Sequence, residues 1–350
     1  MLYICPTFDY ELFLGGSDYS EYEVLIEPTE RLADLFDYKG CKYTLFADTC
    51  SILQYKKNGL FSFPEMAEKQ LKSVVRSGND VQLHIHPHWN KSIYVDGEWQ
   101  INYKYYRLHA FPDMNEIIVD NKKYLCELLT GEDKNYDCIA FRAGGFCIQP
   151  EKAILKILKD NGIVIDSSVC SGRKCKDVPH DFDYRKVRQR TAWRFDIDQG
   201  LCRNGFQAAE TFIEIPIVTS RVGLSKIKLF LNKVSADIPP NKGKYINQIE
   251  PHKKNFIMDG IQLANRFLFD PYLCEFDCAD YNRMLNILKP YIKNAYKEDR
   301  FMAIIGHPKM SWSGWFYHME KFLDVISSDF SETIKTVTIR EAYQIMKNEK

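Results

Sequence analysis

This 350-residue sequence predicts an α/β fold in which parallel strands alternate with helices, closed as a barrel or left as an open sheet. Short apolar runs of strand length alternate with longer segments whose apolar residues recur every three or four positions. Prolines open and glycines close several of those longer segments. The residues able to do chemistry follow the short runs, so they gather at the carboxyl ends of the strands, the rim where α/β barrels build their active sites.

Leu2 to Phe8 reads as a buried strand. Pro28-Thr29-Glu30 opens a helix carrying Leu32, Leu35 and Phe36 on one side, and Gly40 ends it. Tyr43 to Ala47 is the next strand; Pro64 then starts a helix with Ala67, Leu71, Val74 and Val75 on one face, ended near Gly78. Val81 to His84 returns as a strand, and a helix over Asp113 to Leu129 leads to a strand at Cys138 to Phe141. Pro150 to Asn161 is a helix that Gly162 closes before a strand at Ile163 to Ile165. Further on come a strand at Phe212 to Ile217, an apolar helix at Phe256 to Phe269 that caps the barrel or forms a subunit interface, a helix at Tyr281 to Asn294, a strand at Phe301 to Ile305 and a last strand around Thr336. The alternation lapses near 89–112 and 170–275, which read as insertions in a single domain spanning 1–350.

An apolar content of 45% supplies a sizeable core. Lysine plus arginine equals aspartate plus glutamate at 47 each, so no global attraction to nucleic acid or to anionic membrane is expected, and a neutral or mixed substrate fits better. The N-terminal Met1-Leu2-Tyr3-Ile4-Cys5-Pro6 lacks the basic and apolar regions of a secretion signal, and no later stretch reaches the ~18 apolar residues of a membrane span. A soluble, cytoplasmic protein without stable membrane insertion is the expectation. The eleven cysteines are odd in number and scattered, as reduced thiols are, and neither Cys170 with Cys175 nor Cys274 with Cys278 makes half of a four-cysteine zinc site.

Three separated segments hold the donor types of a metal-activated hydrolytic site: Thr7-Phe8-Asp9-Tyr10-Glu11, His84-Ile85-His86-Pro87-His88 and Gly306-His307-Pro308. On an extended segment Asp9 and Glu11 both face the rim while Tyr10 points away, so one can bind metal and the other accept a proton; the alternative for Glu11 is a solvated loop residue. His84 and His88 would lie ~13 Å apart if fully extended, too far to share an ion. Pro87 can end the strand and start a helical turn that brings them to one side, leaving His86 behind the ligands or facing the substrate. Against this stands the reading of one or two of the three as hydrogen-bonded core histidines. Two histidines and one carboxylate suit Zn²⁺, Co²⁺ or Fe²⁺ and leave positions for water and substrate.

These segments, with Ser77-Gly78-Asn79-Asp80-Val81-Gln82-Leu83 before the histidines, Phe141-Arg142-Ala143-Gly144-Gly145-Phe146 and Ile165-Asp166-Ser167-Ser168-Val169, resemble the ordered motifs of the polysaccharide deacetylase family, carbohydrate esterase family 4 with its NodB-type domain. The resemblance runs from Asp9 to His307 and implies a distorted (β/α) barrel that removes an N-acetyl or O-acetyl group from a sugar with the help of a divalent metal, Zn²⁺ foremost. It implies Asp9 as general base, His84 and His88 as metal ligands, Arg142 as the group orienting the base and His307 as general acid. Where the family usually has two adjacent aspartates this chain has Tyr10 in the second place, so Glu11 takes the carboxylate-ligand role. Arg142-Ala143-Gly144-Gly145 replaces the usual Arg-x-Pro-Tyr, and the backbone N–H of Gly145 stands where the oxyanion donor is expected. The family's aspartate-tryptophan pair is missing, and Asp166 is the candidate acidic partner of His307.

Two further features bear on substrate. Trp89, Tyr94, Trp99, Tyr103, Tyr105 and Tyr106 stack on sugar faces or pack as a hairpin on the barrel. Arg173, Lys174, Lys176, Arg185, Lys186, Arg188, Arg190 and Arg194 form a solvated face or meet the phosphate of a nucleotide-linked or lipid-linked sugar, a precursor of surface polysaccharide. Competing functions are another C–N hydrolase acting on a formyl group or a non-sugar amide, a silent sugar-binding barrel, and a two-histidine, one-carboxylate Fe²⁺ oxygenase, whose ligands usually sit on β-helix sheets.

Overall fold

The computed structural model describes residues 1–14, 19–176, 180–202, 211–220, 244–246, 271–293, 295, 297–311 and 314–348, with backbone alone at 103 and 244–246. The expected helix at Phe256 to Phe269 lies outside the described residues. Among the described residues, nine strands form the main sheet: β1 (Leu2–Tyr10), β2 (Thr44–Asp48), β3 (Asp80–Ile85), β4 (Ala140–Ala143), β5 (Ile165–Asp166), β6 (Trp193–Asp196), β7 (Thr211–Glu214), β8 (Arg300–Gly306) and β9 (Ile334–Thr336). Their order is β6-β7-β5-β4-β3-β2-β1-β8, with β9 beside the first three residues of β1, and all pairs are parallel except β6 with β7.

The sheet curls until its two sides meet. Just past β7, Ile217 bridges Ala303 of β8, Val218 N–H donates to Ala303 O at 2.8 Å and Ala303 N–H to Pro216 O at 3.0 Å. The fold is thus a mixed α/β distorted barrel, the closed one of the two forms that the alternation leaves open. Packed around it are α1 (Glu27–Tyr38), α2 (Thr49–Lys57), α3 (Ser62–Arg76), α4 (Met114–Leu129), α5 (Glu151–Asp160), α6 (Tyr281–Ile292) and α7 (Trp315–Ser328), while α8 (Ile339–Asn348) belongs to the interior described below.

Strand alternation divides the apolar residues into two clusters. Leu2, Ile4, Phe8 and Tyr10 of β1 face the helices with Leu32, Phe36, Leu71 and Phe322. Cys5, Phe46, Ala140, Ile165, Ile213 and Ala303 face inward and meet Ile339 and Ala342 of α8, which closes the amino-terminal end. Chemistry is left to the other end. β4 starts two residues later than expected because the amides of Ile139 and Ala140 donate to the carboxamide of Gln82 at 2.9 and 2.8 Å rather than entering the ladder.

The two irregular regions differ. Ile93–Val95 and Glu98–Asn102 make an antiparallel hairpin apart from the barrel, turned by Asp96 and Gly97, both at positive φ as a tight two-residue turn requires. Trp89 and Trp99 are buried against each other and against Tyr55, so these two are core and not a sugar platform. Within 170–275, β6 and β7 join the main sheet as its edge. Arg185 and Lys174 pair with Asp183, and Arg190 donates to Ser220 O at 3.0 Å, so these cations of the basic run are engaged within the loop.

The plug is held by charge as well as by packing. Arg340 Nε of α8 lies 2.9 Å from Asp80 Oδ1 at the buried start of β3, and Arg340 Nη1 lies 3.0 Å from Asp133 Oδ2. Burial pushes Asp80 up to about 6 against the pull of Arg340, so the protonated carboxyl is the form the interior tolerates best. Arg340→Met is expected to cost about 2–3 kcal/mol at pH 8, where Asp80 is ionised without its partner, and less at pH 5, where it takes a proton. Urea melts at the two pH values measure this; an equal loss at both would contradict it.

Candidate metal and hydrolytic centre

The register of the sheet sets the first row of the site. Asp48 of β2, His84 of β3 and Arg142 of β4 are aligned neighbours across the three strands, so they share the inward face near the rim. Asp9, at the end of β1, and Glu11, two residues on, join them, while the hydroxyl of Tyr10 points the other way and donates to Gln70 Oε1 at 2.9 Å. Asp9, Glu11, His84, His86 and Arg142 are all buried.

Arg142 is 0% exposed and immobilised on every side. Its Nε donates to Ser167 O at 2.8 Å, Nη2 to Ser167 Oγ at 2.9 Å and Nη1 to Asp9 Oδ1 at 2.6 Å, while its plane lies 4.1 Å from the centre of the Phe46 ring. Burial works to raise the Asp9 carboxyl, but Arg142, His84 and His307 outweigh it and hold Asp9 below the ordinary range. The second oxygen of Asp9 faces His84 Nε2 at 3.8 Å and His307 Nε2 at 3.6 Å.

Among the described residues, Glu11, His84 and His86 form a group whose candidate ligand atoms lie within 4.8 Å of one another. His84 Nδ1 is 2.8 Å from the carbonyl of Arg142; a carbonyl only accepts, so Nδ1 carries the hydrogen and Nε2 turns to Glu11 Oε2 at 3.0 Å. An imidazole fixed this way by a backbone carbonyl is what metal-ligating histidines display. His86 Nε2 meets the same Glu11 oxygen. Burial works to lower His84, yet Asp9 and Glu11 raise it, and the negative charge that draws a proton there would equally draw a divalent cation. The donor set therefore fits a divalent metal.

This grouping departs from the expected pair of His84 and His88. Extended geometry runs through Ile85, the last residue of β3, so His84 and His86, on either side of it, keep the same face. The 3₁₀ turn over Pro87–Lys91 comes after His86 and carries His88 inward, its ring 5.4 Å from that of Trp89 and fully buried. Burial, then the nearby His86, pushes His88 well below the ordinary histidine range. Gly144 is what lets His86 take its place: a Cβ there would come within 2.6 Å of Ile85 O and 2.8 Å of His86 Nδ1. Gly145 beside it has φ +60°, a left-handed conformation natural to glycine, and lines the pocket.

His307 stands across the pocket at the end of β8. Its Nδ1 is 2.6 Å from Asp277 Oδ2, and its backbone N–H donates to Asp277 Oδ1 at 2.8 Å. Burial would lower this imidazole, but Asp277 first, then Asp9 and Glu11, carry it up to about 9. Asp277, not Asp166, is thus the acidic partner of His307. Asp166 lies deeper, accepting from Ser168 Oγ at 2.6 Å beside Glu214, and burial raises both of these carboxyls.

The pocket holds about 270 Å³, and its lining includes Asp9, Glu11, His86, Gly145, His180, Asp277, His307 and Lys309. Asp277, His180 and Lys309 were not found by sequence reasoning. Lys309 immediately follows the Gly-His-Pro segment and ion-pairs with Glu11 Oε1 at 2.7 Å. Glu275 and Asp277 repeat the acid-x-acid spacing of Asp9 and Glu11 on a segment that bridges β8 at Ile305, which is the signal that marks them. His180 is a neutral imidazole, pushed down to about 4 by burial and then by the neighbouring His86. In the metal-free protein, Asp277→Asn is expected to drop the His307 pKa from about 9 toward the ordinary 6.5, read by an NMR pH titration of the imidazole. A value still near 9 would show that other charges hold the proton.

No protein-family model matches the chain, and no curated protein matches it in sequence. Solved structures do. The 4-α-glucanotransferase of Thermococcus litoralis superposes with a TM-score of 0.52 at 12% identity, over 98% of this chain and 40% of that one. A Mycobacterium smegmatis protein described as a polysaccharide deacetylase gives 0.49 at 11% identity over 98% and 89%, and PuuE allantoinase 0.46 at 10% over 97% and 88%. At these identities the likeness is one of fold. The fold shared is the curled, mixed α/β distorted barrel described above.

Proposed function

We propose that the chain is a metal-dependent hydrolase that removes an acetyl group from an N-acetylated or O-acetylated sugar. One observation carries the reading: Glu11 and His86 of a Glu-His-His donor group, a carboxylate tied to a buried arginine and a histidine tied to an aspartate all line one pocket. The ordered motifs and the fold they imply support it. Glu11, His84 and His86 are the residues that would hold the metal, Zn²⁺ foremost given two imidazoles and one carboxylate. A divalent ion there supplies Lewis acidity and lowers the pKa of water.

The chain's own groups divide the proton work. Arg142 keeps Asp9 ionised and fixes one oxygen, leaving Oδ2 to take a proton from the attacking water. Asp277 keeps His307 protonated at neutral pH, so its Nε2, facing the pocket, can give a proton to the leaving amine or alcohol. Gly145, on the opposite wall, would offer its backbone N–H to the developing oxyanion. The substrate fits a sugar carried on a nucleotide or lipid precursor, and the cytoplasm fits the eleven free cysteines. No described helix is long and apolar enough to cross a membrane.

Acetate release from a panel of N-acetyl sugars, nucleotide sugars and oligosaccharides, with and without chelator, tests the function; formate release or activity on non-sugar amides alone would move it to another C–N hydrolase. Asp9→Ala and His307→Ala are each expected to lower turnover by at least ~10²-fold while metal content persists. His84→Ala and His86→Ala are expected to lose metal, and His88→Ala to keep it. Undiminished turnover in Asp9→Ala would contradict the assignment.

A further inference from the structure

The hydrolytic reading gives no part to Lys309, a largely buried cation at the pocket. Lys309 sits in the turn Pro308–Met310, two residues past His307, with its side chain 11% exposed. Its ammonium lies 2.7 Å from Glu11 Oε1 and 3.2 Å from the carbonyl of Leu12, and 5.5 Å from the centre of the Phe13 ring. The two oxygens of Glu11 therefore face different company. Oε2 meets the ring nitrogens of His84 and His86, whereas Oε1 meets Lys309 and, at 3.6 Å, His307 Nε2.

We propose that Lys309 tunes the metal site, weakening its hold on a divalent cation by drawing on the charge of Glu11 from the side away from the histidines. This rests on the reading of Glu11, His84 and His86 as the ligand set. Two physical effects act together. A fixed positive charge against a ligand carboxylate repels a second cation, and burial leaves that repulsion poorly screened. A carboxylate already shared with an ammonium also donates less to the ion it holds, so the ion stays a stronger Lewis acid. The site thereby gives up affinity to retain polarising power. A lysine acting only as a structural tie for Glu11 would do the reverse, because its loss would loosen the ligand and weaken binding.

Competition with a chromophoric chelator for Zn²⁺ separates the two, using the full chain as wild type, K309M, K309R and the double variant H84A/H86A. K309M is expected to bind Zn²⁺ at least about tenfold more tightly than wild type, since the opposing charge is gone. K309R, which keeps that charge, is expected to stay within about threefold of wild type. Should K309M fail to fold, as judged by circular dichroism, K309Q carries the same expectation. Equal or weaker binding by the neutral variant, with H84A/H86A abolishing binding, would overturn the role of Lys309 and leave the ligand set standing. Zn²⁺ binding that survives in H84A/H86A would overturn both.

Discussion

A guanidinium sealed inside the barrel, paired with a carboxylate it cannot leave, is the constraint on which the site is built. Arg142 has no water to fall back on and Asp9 is all but buried, so breaking the pair by removing one partner strands a poorly compensated charge, at a cost on the order of 3–5 kcal/mol. The pair therefore locks the ends of β1 and β4 together, and Ser167, which accepts from both Nε and Nη2, brings in the segment after β5. Three of the strands carrying the chemistry are thus fixed relative to one another by one side chain. Phe46 beneath the guanidinium closes the remaining face and marks where the polar rim gives way to the apolar interior.

Around that pair, each charged group is held by an opposite one. Asp277 holds His307, Lys309 and the two histidines hold Glu11, and Arg142 holds Asp9. Burial raises the stakes of each contact, since a desolvated carboxylate without a partner would take a proton. Asp166 and Glu214 show the tendency: burial raises two carboxyls side by side, and the pull of Arg142 on Asp166 does not offset it. The contrast explains how one barrel lowers the pKa of a carboxyl at its rim and raises those of two carboxyls away from it.

Much of this was legible in the sequence because strands and helices here obey simple periods. The strands at Leu2, Tyr43, Val81 and Phe301 and the helices near Pro28, Pro64 and Pro150 fall within two residues of where apolar spacing, proline and glycine put them, while the strand expected from Ile163 begins only at Ile165. Asp9 and Glu11 face the rim with Tyr10 reversed, as alternation requires. What failed was position along the strand. Periodicity does not say which way a turn carries its side chains: strand alternation across Ile85 keeps His86 beside His84, and the turn from Pro87 takes His88 inward. The helix Thr49–Lys57 gave no stripe to read because polar Thr49, Ser51 and Gln54 are buried with its apolar residues. Asp277 was hidden for another reason: its partner is thirty residues away, and only the bridge between Glu275 and Ile305 brings the two segments together.

The central claim is that the ion belongs between β1 and β3, held by Glu11, His84 and His86, with Asp9 and His307 beside it. Anomalous diffraction at the zinc edge, from crystals grown with Zn²⁺, addresses it most directly. A single strong peak within bonding distance of Glu11 Oε2, His84 Nε2 and His86 Nε2, about 2.0–2.2 Å from each, is the predicted result. A peak ligated by His88 in place of His86, or none in this pocket, would contradict it.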